Sequence, residues 1–244
     1  MIIQTISMTR LSVNINKIAT LRNSRGGNNP NVLEAAIRCQ EFGAQGITVH
    51  PRPDERHIKK QDVFDLKSIV TTEFNIEGYP SKEFLGMVTK VLPEQVTLVP
   101  DAHDAITSNQ GWRVKEHSAF LKDTIAELQS NNIRTSIFVE TDLNNLEAAK
   151  ETGTDRIEFY TEPYATQFLL DKEAAVRPFA IAANKAMELN IGINAGHDLN
   201  LDNLKFFSDN VPGLLEVSIG HALVADALYF GLEKTIHLYL EQIQ

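Results

Sequence analysis

Short β-branched runs recur along the chain, and each is followed by a longer stretch of helical period. The runs are "RLSVNI" (10–15), "GITVH" (46–50), "FNIEG" (74–78), "QVTLVP" (95–100), "RTSIFVE" (134–140), "RIEFYT" (156–161), "IGINAG" (191–196) and "LLEVSIG" (214–220). Between them lie helical patterns such as "NVLEAAIRCQEFG", "SAFLKDTIAELQSNN" and "EAAVRPFAIAANKAMELN". Glycines stand before several strands, at Gly43, Gly46, Gly153, Gly192 and Gly213, where a helix must stop and the chain must turn. Eight strands, each followed by helix, in 244 residues predict one (β/α)8 TIM barrel spanning residues 1–244. The competing architecture is an open doubly wound sheet, which should carry a glycine-rich fingerprint after its first strand. "SVNINKIATLRNSRGG" has no G-x-G-x-x-G, so the barrel is favoured.

Composition narrows the class. A hydrophobic fraction of 43% with 23% charged residues is that of a globular protein, and no apolar run is long enough to span a membrane. The N-terminus lacks a signal-peptide pattern. The single Cys39 cannot form an internal disulfide and reads as a small buried residue of a helix, which fits a reducing cytoplasm. A net charge of −9 argues against nucleic acid as a partner. The charge is uneven, however. Residues 1–60 hold nine Lys/Arg and four Asp/Glu, a net of +5, and the remaining 184 residues hold 14 and 28, a net of −14. A basic N-terminal quarter on an acidic protein suggests a local anion site, with a solvated basic face as the plainer alternative.

Active sites of such barrels lie at the C-terminal strand ends. There the sequence places Asn14, Asn16 and Lys17 after strand one, His50 and Arg52 after strand two, and Glu77 on strand three. Thr107 follows strand four, Glu158 lies on strand six, His197 and Asp198 follow strand seven, and Gly220 and His221 follow strand eight. His57 and Arg56 sit in the loop after strand two, and "NSRGGNNP" (23–30), with Arg25, is a turn-rich candidate lid after strand one. Histidines beside Glu77 and Glu158 suit repeated proton transfers. Arg52 and Arg25 offer planar forks for phosphate, and Gly220-His221 at the start of the last helix offers free backbone N–H groups. The rival use of these residues is a metal site. No H-x-H or H-E-x-x-H spacing appears, and the nearby arginines would repel a cation, so no metal is expected.

The stretches "VNINKIATLRNSRGG", "GITVHPRPDERHI", "FNIEG", "QVTLVPDAHDAITSNQGW", "GINAGHDLN" and "EVSIGHAL" resemble, in order, the motifs of the pyridoxine 5′-phosphate synthase family. The resemblance runs from about residue 10 to the C-terminus. It implies a (β/α)8 barrel with extra helices that assembles as a homo-octamer. It also implies condensation of 3-amino-2-oxopropyl phosphate with 1-deoxy-D-xylulose 5-phosphate to pyridoxine 5′-phosphate, phosphate and water, with no metal and no organic cofactor. His50 matches the family's general base, Glu77 a second base, His197 the general acid, and Glu158 a transition-state stabiliser. Arg52, His57, Thr107 and the Asn16-Lys17 pair match contacts to the deoxyxylulose phosphate. Asn14, Gly220 and His221 match contacts to the aminoketone phosphate, and Arg25 matches an arginine of the loop after strand one.

Two positions depart from the family pattern. Many members read Asp-His where this chain has Asn16-Lys17, so the contacts there must differ. Many have glycine where this chain has Asp198, whose backbone N–H can still bind phosphate if the carboxylate points away. The alternatives are another phosphosugar isomerase or aldolase, which would turn over a single substrate, and a non-catalytic barrel that binds a phosphorylated ligand.

Overall fold

The computed structural model describes residues 8–100 and 110–244. Its strands are β1 Arg10–Asn14, β2 Gly46–Val49, β3 Glu73–Gly78, β4 Gln95–Leu98, β5 Arg134–Val139, β6 Arg156–Tyr160, β7 Gly192–Gly196 and β8 Leu214–Ile219. All pair in parallel, in sequence order, and β8 closes on β1. That closure excludes the open doubly wound sheet. Each strand lies within two residues of the run read from the sequence.

The helices among the described residues are α1 Asn16–Asn23, α2 Val32–Glu41, α3 Lys60–Lys67, α4 Lys82–Val91, α5 Ser118–Ser130 and α6 Leu143–Thr152. They continue with α7 Glu162–Phe168, α8 Lys172–Glu188, α9 Leu204–Asn210, α10 His221–Phe230 and α11 Leu232–Glu241. Three are additions to the βα repeat: α1 precedes α2, α7 precedes α8, and α11 follows α10. Side-chain caps mark several starts. Asn31, Ser81, Asp142 and Asp171 each accept backbone N–H groups in the first turn of α2, α4, α6 and α8. At the end of α6, Gly153 takes a left-handed φ of 82°, a conformation glycine adopts without a Cβ penalty.

Alternation along the strands decides where polar groups go. Leu11, Val13, Ile47, Val49, Phe74, Ile76, Val96, Leu98, Ile157 and Phe159 are all buried in the core between barrel and helices. The residues of opposite parity fill the barrel and are largely polar, as the strand period of two requires. The Ser12 and Thr48 hydroxyls lie 2.7 Å apart, Asn75 Nδ2 donates to Thr48 Oγ1 at 3.3 Å, and Thr97 Oγ1 donates to Asn75 Oδ1 at 3.1 Å. Carrying that parity one step further along the strands places Asn14, His50 and Glu77 at the C-terminal mouth. At the opposite end Arg10 reaches Glu73 at 3.4 Å, Arg134 also pairs with Glu73, and Arg156 reaches Glu216 at 3.6 Å. Burial, together with the neighbouring Glu73 carboxylate, holds the Glu216 carboxyl well above its ordinary range.

Candidate active site

A cavity of about 550 Å³ opens at the C-terminal mouth. Its β1–β3 side is assembled by short polar turns. Asn14 Oδ1 accepts the Asn16 N–H at 3.0 Å, an Asx turn that ends β1 and starts α1 at once. Asn16 Oδ1 in turn accepts the His50 N–H at 2.9 Å and so fixes the end of β2. Only an acceptor oxygen is needed there, and asparagine supplies one. His50 Nδ1 stands 3.7 Å from Glu77 Oε2, a close approach but longer than a hydrogen bond.

Both imidazoles on this side are held neutral. Burial, and then the charges of Arg52, His57 and Arg56, push His50 well below its ordinary range. Burial, Arg52 and Lys17 lower His57 to about 4. The His57 Nδ1 accepts the Ile58 N–H at 2.9 Å, so the neutral ring carries its proton on Nε2. His57 therefore meets an anion first as an N–H donor and not as a cation.

A buried ion pair supports this wall from behind. Arg22 on α1 grips Asp62 on α3 with both arms, Nη1 to Oδ1 at 2.6 Å and Nη2 to Oδ2 at 2.8 Å. Arg22 Nη2 and Asn23 Nδ2 also donate to the His57 carbonyl, at 3.1 and 2.8 Å. The loop that carries His57 is thus tied to α1 and, through the Arg22–Asp62 pair, to α3.

The β6–β8 side has a different character. Glu158 is buried, and burial raises its carboxyl to about 7, opposed by a hydrogen bond with Thr97 and by the charge of His197. It fits because Gly196 has no side chain: a Cβ there would stand 2.8 Å from Glu158 Oε1 and from the Ser218 carbonyl. After β7 the backbone turns through two left-handed residues, His197 with φ 82° and Asp198 with φ 59°. The Thr161 hydroxyl lies against the carbonyls of Gly196 and His197, and Asn203 Nδ2 donates to the Asp198 carbonyl at 3.2 Å. His197 packs edge-on to Tyr160 with ring centroids 5.2 Å apart. The Asp198 carboxylate does not swing clear of the mouth; its Oδ2 lies 3.1 Å from His197 Nδ1. Gly220 packs on Asn14, and α10 starts directly after it with His221.

All the residues singled out from the sequence line this cavity except Arg25 and Thr107. Arg25 sits in the exposed loop after α1, beside Gly26 and Gly27, and does not border the cavity. Thr107 lies outside the described residues. Arg56 and Ser218, to which the sequence reading gave a place but no role, and Thr20 and Phe138, which it passed over, also line the cavity. Arg56 had a signal in "PDERHI", where it neighbours His57. The Arg22–Asp62 pair, 40 residues apart, had none. Cys39 is buried as expected, and burial pushes its thiol up to about 12. Among the described residues no group of three or more His, Cys, Asp or Glu side chains could hold a metal ion, and no helix is long and apolar enough to cross a membrane.

Comparison with known proteins follows the same lines. The family model described as "Pyridoxal phosphate biosynthesis protein PdxJ" matches residues 11–244. The chain is 63% identical over 232 residues to a pyridoxine 5′-phosphate synthase of Parabacteroides distasonis, covering 95% of this chain and 98% of that protein. It is 60% identical over 236 residues to one of Porphyromonas gingivalis, covering 97% and 99%. Among solved structures, 3-keto-L-gulonate-6-phosphate decarboxylase of Vibrio cholerae superposes with a TM-score of 0.66 at 10% identity, covering 97% of each chain. Phosphoribosyl anthranilate isomerase of Thermotoga maritima superposes with 0.60 at 12% identity, covering 97% of this chain and 98% of that one. These two likenesses speak to the barrel alone.

Proposed function

The chain belongs to the PdxJ family of pyridoxal phosphate biosynthesis proteins, and from that premise we propose that it is an enzyme that forms pyridoxine 5′-phosphate. Its substrates are 3-amino-2-oxopropyl phosphate and 1-deoxy-D-xylulose 5-phosphate, and inorganic phosphate and water leave. The division of the mouth carries this reading. Neutral His50 beside Glu77 lies on one side of the cavity, and Glu158 and His197 lie on the other.

The amine of one substrate attacks the ketone of the other, and the resulting carbinolamine loses water to give an imine. Neutral His50 takes the proton that the ammonium must lose, and Glu77 takes later ones. His197 returns protons to departing oxygen, and the buried Glu158 supports charge that develops beside it. Arg52, Lys17 and His57 hold the deoxyxylulose phosphate. Asn14 and the N-terminus of α10 at Gly220-His221 hold the aminoketone phosphate. Arg25 joins the site when the loop 23–30 folds over it. The reaction requires neither a metal nor an organic cofactor.

A homo-oligomer fits the exposed apolar residues at the end of α10, where Leu228 and Tyr229 are 73% and 85% exposed, and those after α7, where Leu169 and Leu170 are 82% and 80% exposed. The octameric state is the family expectation. Cytoplasmic residence fits the buried, unpaired Cys39.

The test is a paired-substrate assay on chelator-treated protein, with His50→Ala as the control. Absorbance of pyridoxine 5′-phosphate appearing only with the parent protein and both substrates is the expected result. Turnover of one substrate alone would favour a phosphosugar isomerase or aldolase. No product from folded protein would refute the synthase reading.

A further inference from the structure

The turn after β7 holds a contact that the reaction scheme above leaves unused. We propose, on the basis of the synthase reading, that Asp198 is a positioning residue. Its carboxylate takes the Nδ1–H of His197 and so presents Nε2 as the atom that gives the proton to substrate.

The geometry is direct. Asp198 Oδ2 lies 3.1 Å from His197 Nδ1. An ionised carboxylate only accepts, so the ring nitrogen facing it must carry the hydrogen. The two residues are adjacent, and adjacent side chains seldom meet so. They meet here because both backbones are left-handed, at φ 82° and 59°. Histidine and aspartate tolerate this conformation better than most residues. The turn is also held from outside: Thr161 Oγ1 bonds the carbonyls of Gly196 and His197, and Asn203 Nδ2 bonds the Asp198 carbonyl at 3.2 Å. A left-handed position alone would favour glycine. A carboxylate there, with its oxygen on the ring, adds a charge that the turn itself does not need.

The groups around the ring leave Asp198 as the permanent anion. From β6 come Glu158 and Tyr160. Glu158 is raised to about 7 by burial and carries a proton much of the time near neutrality. Tyr160, next to the ring, is raised by burial and by Glu162, Asp198 and Glu140, and stays neutral. From the start of α10, His221 acts on Asp198. The hydrogen bond with His197 holds Asp198 below the usual carboxylate range. A carboxylate so placed fixes the tautomer of the neutral ring.

Two variants separate charge from hydrogen bond. Asp198→Asn keeps the shape and an acceptor oxygen but loses the charge. Asp198→Gly suits the left-handed backbone and removes both. Nitrogen-15 NMR of the imidazoles in the substrate-free protein should show neutral His197 protonated on Nδ1 in the parent and in Asp198→Asn. Asp198→Gly should lose that preference. In the paired-substrate assay, Asp198→Gly should lower kcat by about tenfold, and Asp198→Asn, which still accepts the Nδ1–H, should lose less. KM for each substrate should stay within about twofold. An unchanged tautomer or an unchanged kcat in Asp198→Gly would overturn the proposal. So would a raised KM at constant kcat, which would make Asp198 a substrate contact. If the parent forms no product, the synthase reading fails, and the NMR arm alone still accepts or rejects the His–Asp couple.

Discussion

On the β2 side of the mouth, His50 is buried among Arg52, Arg56 and His57, and burial with like charge keeps its ring neutral. On the β6–β7 side, Glu158 is buried with no arginine among the causes of its shift, and His197 meets the carboxylate of Asp198. The same two residue types are set in opposite ways. Burial and nearby cations keep His50 a base, whereas burial makes Glu158 an acid. A reaction that removes and returns protons in one cavity needs that separation, because a group poised for one task at neutral pH is poorly poised for the other.

Removing one member from each side should break the division unequally. His50→Ala should lower kcat by about 10²–10⁴-fold, the usual worth of a positioned general base. Glu158→Gln should flatten the ionisation near 7 in the rate profile and leave the acidic limb in place, as pH profiles of the two variants would show.

The scaffold of the basic side is the next target. Arg22→Ala leaves Asp62 with the Lys59 N–H but without its counter-charge. Breaking such a buried pair costs about 3–5 kcal/mol. Urea unfolding should report that loss, and the His57 loop should lose its anchor with it. Arg52→Ala removes a charge-assisted contact to phosphate worth about 1.5–3 kcal/mol. KM for the deoxyxylulose phosphate should rise by about 10- to 100-fold, with a smaller change in kcat.

The comparison also predicts opposite pH dependences of stability. His57 has a folded value of about 4 against an ordinary 6.5, so the unfolded chain binds more protons between them. Its contribution is complete above about 6.5 and is lost as pH falls towards 4. Glu158 has a folded value of about 7 against 4.5, so its contribution is complete below 4.5 and is lost as pH rises through 7. Thermal melts across this range should show the acid-side loss diminished in His57→Gln and the neutral-side loss diminished in Glu158→Gln.

Most of the mouth was legible in the sequence because strand parity is local. Once Leu11, Val13, Ile47 and Val49 are assigned to the helix-facing side, Asn14 and His50 must fall on the barrel side. The barrel's polar interior follows from the same alternation. The Arg22–Asp62 clamp was not legible, because it joins residues 40 apart on two helices that meet only once β1 and β2 have paired. The His197–Asp198 contact was hidden for another reason. Adjacent residues face apart in most conformations, and only the left-handed turn, braced by Thr161 and Asn203, brings the two side chains together. The resemblance singled out Arg25, yet Arg25 does not border the cavity.

The division of the mouth is tested most directly by carbon-13 NMR titration of the histidine Cε1 positions in the substrate-free protein, assigned with His50→Ala and His57→Gln. The account predicts that His57 titrates at about 4 and that His50 stays neutral well below 6.5. Both rings titrating at 6.5 or above would contradict it, because the β2 side would then hold cations where the chemistry needs a base.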